Sequence, residues 1–166
     1  MSIAVDYDRN TDGLQDYKEA LKWYKQALEL DEENIDSAYC IGLIYYNAKG
    51  IKSDWKLALH YFKLTVSLDE RDSHEIHKNA YFFMGEIYEH GEDGVPQNYI
   101  LAHEYFEKAF DCGEVKAAVA LMKLYRDGLG VRKDNNKVKE WMQRAISASP
   151  KAKLEQISPR LFRVIR

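Results

Sequence analysis

The side chains with most chemical potential in this 166-residue chain are five histidines, two cysteines and a few paired carboxylates. Their spacing is the first test of an active site. His74-Glu75-Ile76-His77 comes nearest to a metal motif. In HExxH, two histidines four apart share a helix face and the glutamate serves as base. Here they are three apart, in what reads as an extended, solvated connection, with no third or fourth ligand nearby. Adventitious nickel or zinc binding is the most that such a pair offers. Cys40 and Cys112 lie 72 positions apart without a CxxC, too few for a disulfide framework, and read as small buried hydrophobes. His60 and His103 are isolated and read as side chains that snorkel at a surface. The acid pairs Glu32–Glu33 and Glu92–Asp93 fall at helix ends or turns, where solvation explains them. Gly128-Leu-Gly130 follows a helix rather than a strand and lacks a phosphate-binding lysine. No Gly-x-Ser-x-Gly and no Ser/His/Asp arrangement occurs. The expectation is a protein that is not an enzyme, with no cofactor and no metal.

The elements that carry these residues repeat. Ser37-Ala-Tyr-Cys-Ile-Gly-Leu-Ile-Tyr45, Ala80-Tyr-Phe-Phe-Met-Gly-Glu-Ile-Tyr88 and Ala117-Ala-Val-Ala-Leu-Met-Lys-Leu-Tyr125 share a large apolar fifth position and a tyrosine ninth. The sixth position is Gly42, Gly85 and then Met122. Behind each comes a second segment in one frame: Gly50 to Phe62, Gly94 to Phe106 and Gly130 to Met142. Apolar residues recur at spacings of three and four, as in Ala102, Tyr105, Phe106, Ala109 and Phe110, which is the helical period. Asp16 with Glu19 suggests a capping box, Pro96 a helix start and Gly113 a helix C′ position. Glycines at 91–94 and 128–130 suit tight reversals between helices. No window alternates as a strand does. The unit is a helical hairpin, helix A then helix B.

Packing supplies a reason for the small residues. Gly42 and Gly85 on helix A are expected to face Ala58 and Ala102 on helix B, letting the axes close. Tyr61–Phe62, Tyr105–Phe106 and Trp141–Met142 are then expected to fill the space between neighbouring hairpins as core.

The pattern Ala-x-x-x-Leu-Gly-x-x-Tyr-x-x-Gly, then Gly-Val, then Ala-x-x-Trp/Tyr-Phe-x-Lys-Ala resembles the Sel-one-like repeat family, a relative of the tetratricopeptide repeats. The resemblance covers about residues 37–148 in three copies, with Met122 and Val138 as departures in the last. Residues 16–34 resemble helix B of an earlier, more tetratricopeptide-like unit. The resemblance implies an all-α fold, an α-solenoid of stacked antiparallel hairpins in a right-handed superhelix. The expected divisions are a flexible segment 1–13, a partial repeat helix 14–36, repeats 37–79, 80–116 and 117–150, and a capping segment or basic tail 151–166. The family's cysteine-rich secreted branch carries a bridge in each repeat; one cysteine in each of the first two repeats and none in the third argues against it.

The resemblance also implies a non-catalytic scaffold or adaptor with a concave groove lined by the A helices. Carried onto this chain, the lining is Tyr39, Leu43, Tyr46 and Asn47, then Asn79, Phe82, Glu86, Glu89 and His90, then Lys116, Val119, Lys123, Arg126 and Asp127. Tyr39 and Phe82 could equally pack against a neighbouring helix. The expected partner is another protein or peptide. Alternatives suggested by family habit are a bacterial neutraliser of one toxin or effector, or a host-interaction protein. A further alternative is a self-assembling structural protein, open to this chain but not favoured.

Composition agrees. A charged fraction of 31% with 13% aromatic residues supports a packed interior. No stretch approaches the ~20 apolar residues of a membrane span. The net charge of −3 hides a gradient: residues 1–36 carry 4 basic and 10 acidic side chains, 37–115 carry 7 and 13, and 116–166 carry 13 and 4. An acidic array argues against nucleic acid. Residues 151–166 hold five basic residues against one acidic, with Leu154, Ile157, Leu161, Phe162, Val164 and Ile165 interleaved. They are expected to fold back on Trp141 and Ile146 as a cap, ahead of serving as a basic arm. The N-terminus reads as no signal peptide, and with the cysteine usage it leans the expectation to the cytoplasm, a secreted or periplasmic origin remaining for a trimmed chain.

Overall fold

The computed structural model describes residues 17–47, 53–68 and 74–148. Among them are seven α-helices and no strand: α1 Tyr17–Leu30, α2 Ile35–Asn47, α3 Trp55–Ser67, α4 His74–His90, α5 Tyr99–Asp111, α6 Lys116–Asp127 and α7 Asn135–Ala148. The A helices of the three repeats are α2, α4 and α6, and the B helices are α3, α5 and α7. The chain divides into two compact units, residues 1–76 with 92–95 and residues 77–91 with 96–166.

A single device starts all three B helices. Asp54, Asn98 and Asp134 stand at one register position, and each side chain accepts from N–H groups of the first turn that follows. Asp54 takes Leu57 at 3.0 Å, Asn98 takes Ile100 and Leu101 at 3.1 Å, and Asp134 takes Asn136 at 2.8 Å and Lys137 at 3.2 Å. The backbone N–H of each cap donates back to the ninth-position tyrosine of helix A: Tyr45 O at 3.1 Å, Tyr88 O at 2.8 Å and Tyr125 O at 3.0 Å. One residue thus satisfies donors at the start of helix B and an acceptor near the end of helix A, groups a helix leaves without partners. The start of α5 is therefore Asn98 and not Pro96, which lies in the turn ahead of the cap. The Asp16 capping-box candidate and the 151–166 cap lie outside the described residues.

Two turns need glycine. Gly91 has φ +71°, and a Cβ there would meet Gln97 N at 2.3 Å. Gly130 has φ +68°, and its Cβ would meet the Tyr99 backbone at 2.6 Å. The reversals are as tight as the glycine spacing implies.

The hairpin contact departs from expectation. A Cβ on Gly42 would meet the Phe62 ring at 2.7 Å, and one on Gly85 the Phe106 ring at 2.6 Å. Phenylalanine, not Ala58 or Ala102, occupies the space above each glycine. A flat ring against bare backbone fills more volume than a methyl, so closeness here comes from ring-on-glycine packing. Tyr61 and Tyr105 accordingly stack on helix A of their own hairpin, whereas Trp141 meets Phe110 of the preceding hairpin at 5.3 Å, as expected. In the second unit Tyr105 stacks on Tyr88 at 5.7 Å and on Tyr81 at 6.3 Å, both on α4. Its core is completed by Phe106, Leu121, Met122, Leu124 and Trp141. In the first unit, Ala20 and Tyr24 of α1 are buried, as are Ile41, Ile44, Ala58 and Phe62 of α2 and α3.

Candidate protein-interaction face

Tyr39 and Tyr46 of α2 are half-buried. Tyr39 lies 6.0 Å from the Phe62 ring, and Tyr46 stacks on Trp55 at 5.8 Å with its edge toward Phe62 at 6.5 Å. The two tyrosines therefore pack on helix B and still present part of their surface. Leu43 is half-buried; Asn47 is exposed, and its amide donates to Leu43 O at 3.0 Å.

In the second unit Phe82 repeats the arrangement, half-buried and 5.6 Å from Phe106. Asn79 and Glu86 are half-buried, and exposed His90 places Nδ1 2.8 Å from Glu86 O. Glu89 is only 8% exposed. Its carboxylate takes Lys123 Nζ at 2.7 Å, and its carbonyl accepts from Gln97 at 2.8 Å. This pair brings together two predicted lining residues 34 positions apart, on α4 and α6. Lys116 is exposed and Val119 half-buried. Arg126 donates from Nε and a terminal nitrogen to both oxygens of Asp127, at 2.7 and 2.6 Å. That fork holds the Asp127 carboxyl below its ordinary value and the guanidinium above its own. Lys123 and Arg126 are thus already neutralised by carboxylates of the same unit.

Three features lay beyond the sequence reading. His103 does not snorkel: its side chain is 13% exposed, Nε2 lies 3.0 Å from the Tyr125 hydroxyl, and Nδ1 lies 3.5 Å from Glu107. Burial raises the Tyr125 hydroxyl. In the first unit Lys25 of α1 donates to the Tyr45 hydroxyl at 3.1 Å, a bond that raises the ammonium. Here too the ninth-position tyrosine is held by a basic side chain of the preceding helix. Finally, cations three residues past the helix B aromatic lie over rings: Lys108 is 5.3 Å from Tyr105, and Arg144 is 4.0 Å from Trp141 and 4.9 Å from Phe110. Trp141 is 3% exposed. The i, i+3 spacing of aromatic and cation was a visible signal for this last feature.

His74 to His77 form the first turn of α4, not an extended connection. Among the described residues no group of three His, Cys, Asp or Glu side chains could hold a metal ion, and no helix is long and apolar enough to cross a membrane. Both cysteines are free thiols, and burial raises that of Cys112.

Hairpins tied by caps, turns and ring-on-glycine contacts define an all-α solenoid class. The Sel1 repeat model matches residues 35–69, 78–114 and 116–150, and a TPR repeat model matches 14–48, across α1 and α2. The chain belongs to the Sel1 repeat family. It is 33% identical over 84 residues to chitin synthase regulatory factor 1 of Schizosaccharomyces pombe, covering 51% of this chain and 17% of that protein. It is 30% identical over 112 residues to the chitin synthase regulator SKT5 of Malassezia restricta, covering 66% of this chain and 7% of that protein. The chain thus spans less than a fifth of either relative. Among solved structures, a Sel1 repeat protein from Oxalobacter formigenes superposes with a TM-score of 0.64 at 24% identity, over 94% of this chain and 43% of that one. Helicobacter pylori cysteine rich protein B gives 0.54 at 20% identity, over 83% and 92%. Both bear on the fold.

Proposed function

We propose that the chain is a non-catalytic protein-interaction module that holds a protein or peptide against the outward faces of its A helices. The observation that carries this reading is the Glu89–Lys123 pair, which ties the A helices α4 and α6 together within one unit, the carboxylate buried and the lysine partly exposed. On the same unit Phe82 is braced from behind by Phe106, and in the first unit Tyr39 is braced in the same way by Phe62. Braced rings offer contact area at low entropic cost, because their rotamers are set before the partner arrives. Since Lys123 and Arg126 already hold carboxylates, an acidic partner would have to displace Glu89 or Asp127 and gains little from these cations. Charge therefore tunes selection, and the aromatic area supplies most of the affinity.

Family membership supports the same reading, as Sel1 repeat proteins serve as protein-interaction modules. The two curated relatives are named as regulators of chitin synthase, which sharpens it: the partner is an enzyme, or a component of one, whose activity is regulated by being held.

The test is affinity capture from native lysate, comparing the wild type with a Tyr39→Ala/Phe82→Ala/Arg126→Glu variant matched for helicity. One protein held by the wild type and lost by the variant supports the A-helix face. Equal retention by both overturns it.

A further inference from the structure

We propose that the outer face of α1 docks the basic, apolar segment 151–166 of a second copy of this chain. α1 turns Ala20 and Tyr24 inward, and leaves Trp23 40% and Leu30 84% exposed. These two lie seven residues apart, so they share one helix face about 10 Å apart along the axis. Around and beyond Leu30 the surface becomes strongly acidic: Glu29, Asp31, Glu32 and Glu33 are all exposed, and the last turn of α1 holds no basic residue. Glu29 stands at the negative end of the helix dipole, where anions are disfavoured. Asp36, in the first turn of α2, has the favourable end of that helix. α1 itself carries Lys18, Lys22 and Lys25 against Glu19 and Glu29. The acidic excess therefore sits at its C-terminal end and in the turn that follows, and it is there that cations are called for.

The face thus asks for an occupant that is both apolar and basic. Residues 1–16 are the wrong sign, with Asp6, Asp8, Asp12 and Asp16 against Arg9. Residues 151–166 have the right one. There Arg160, Arg163 and Arg166 recur every third position with Leu161, Phe162, Val164 and Ile165 between them. A contact of this kind, between unlike surfaces of identical chains, is heterologous and builds extended assemblies when it does not close. The sequence leaves self-association open but not favoured; the exposure of Trp23 and Leu30 is what the structure adds. α1 is not an A helix of the three repeats, so this inference and the proposed function fail separately.

Sedimentation of the full chain across concentration, at low salt and at about 0.5 M salt, reads the association. The expected result is self-association at low salt that weakens about tenfold or more on screening. Glu29→Lys/Glu33→Lys and Arg160→Glu/Arg163→Glu should each abolish it. Mixing those two variants should restore it, since each then complements the other. Trp23→Ala/Leu30→Ser should abolish it with every charge retained, and circular dichroism checks the helicity of each variant. A monomer throughout, association equal in all variants, or a mixture that stays apart would each overturn the proposal.

Discussion

The second and third repeats build the same hairpin contact from different parts. In the second, Gly85 lies beneath the Phe106 ring. In the third, the matching positions hold Met122, fully buried, and Met142, half-buried. At these two register positions one repeat puts nearly all the side-chain volume on helix B, whereas the other carries one flexible thioether on each helix. A core at native density responds to total volume at a contact more than to which helix supplies it. The glycine of the pattern is therefore one half of a pair and not an independent requirement.

The largest expected effect comes from emptying the rigid version. Phe106→Ala should cost about 3–5 kcal/mol, because the ring is fully buried and its glycine partner cannot move in to fill the cavity. Thermal unfolding followed by circular dichroism reads the loss. Next comes overfilling. Gly85→Met, with Phe106 in place, should cost about 3 kcal/mol, since even a Cβ falls within 2.6 Å of the ring. Adding Phe106→Met should recover much of that loss, which a double-mutant cycle measures as a coupling of about 1–3 kcal/mol. Strict additivity of the two changes would break the comparison between the repeats.

The repeat frame, the helical hairpins and the A-helix register were legible because they rest on periodicity and on glycine and tyrosine recurring at fixed offsets. The partner of Gly42 and Gly85 was not, since alanine and phenylalanine both lie on helix B and only the packed angle between helices decides which ring or methyl arrives. The caps were in view, Asp54, Asn98 and Asp134 standing in one column, yet Pro96 drew the helix start forward. His74 to His77 were misplaced because the repeat alignment begins at Ala80, whereas α4 adds turns ahead of it. Of the candidate face, the positions could be proposed from register. The Glu89–Lys123 and His103–Tyr125 pairs could not, because they join residues 34 and 22 positions apart through side-chain reach.

A smaller effect sharpens the shared starting device. Asn98→Ala removes the acceptor for two N–H groups of α5 but leaves the backbone bond to Tyr88 in place. The expected cost is about 1 kcal/mol. Asp134→Ala should match it if the device is the same in both repeats, and chemical unfolding of the two variants side by side measures the difference.

The smallest effect concerns the ends of the two A helices, where the second unit differs within itself. α4 ends on exposed His90, bonded to its own backbone, and α6 ends on the Arg126–Asp127 fork. Asp127 is held below its ordinary value by that fork, so its folded state binds a proton less readily than the unfolded chain does. Its contribution is then present above the ordinary carboxylate value near pH ~4 and is lost as pH falls through the lowered folded value. Both side chains are more than a third exposed, so solvent screening leaves at most a few tenths of a kcal/mol. Asp127→Asn should flatten the acid limb of the melting-temperature profile by that small amount and leave it unchanged near neutrality once the constant offset is removed. An equal offset at every pH would mean that the fork acts through hydrogen-bond geometry rather than charge, and that the end of α6 is held no differently from the end of α4.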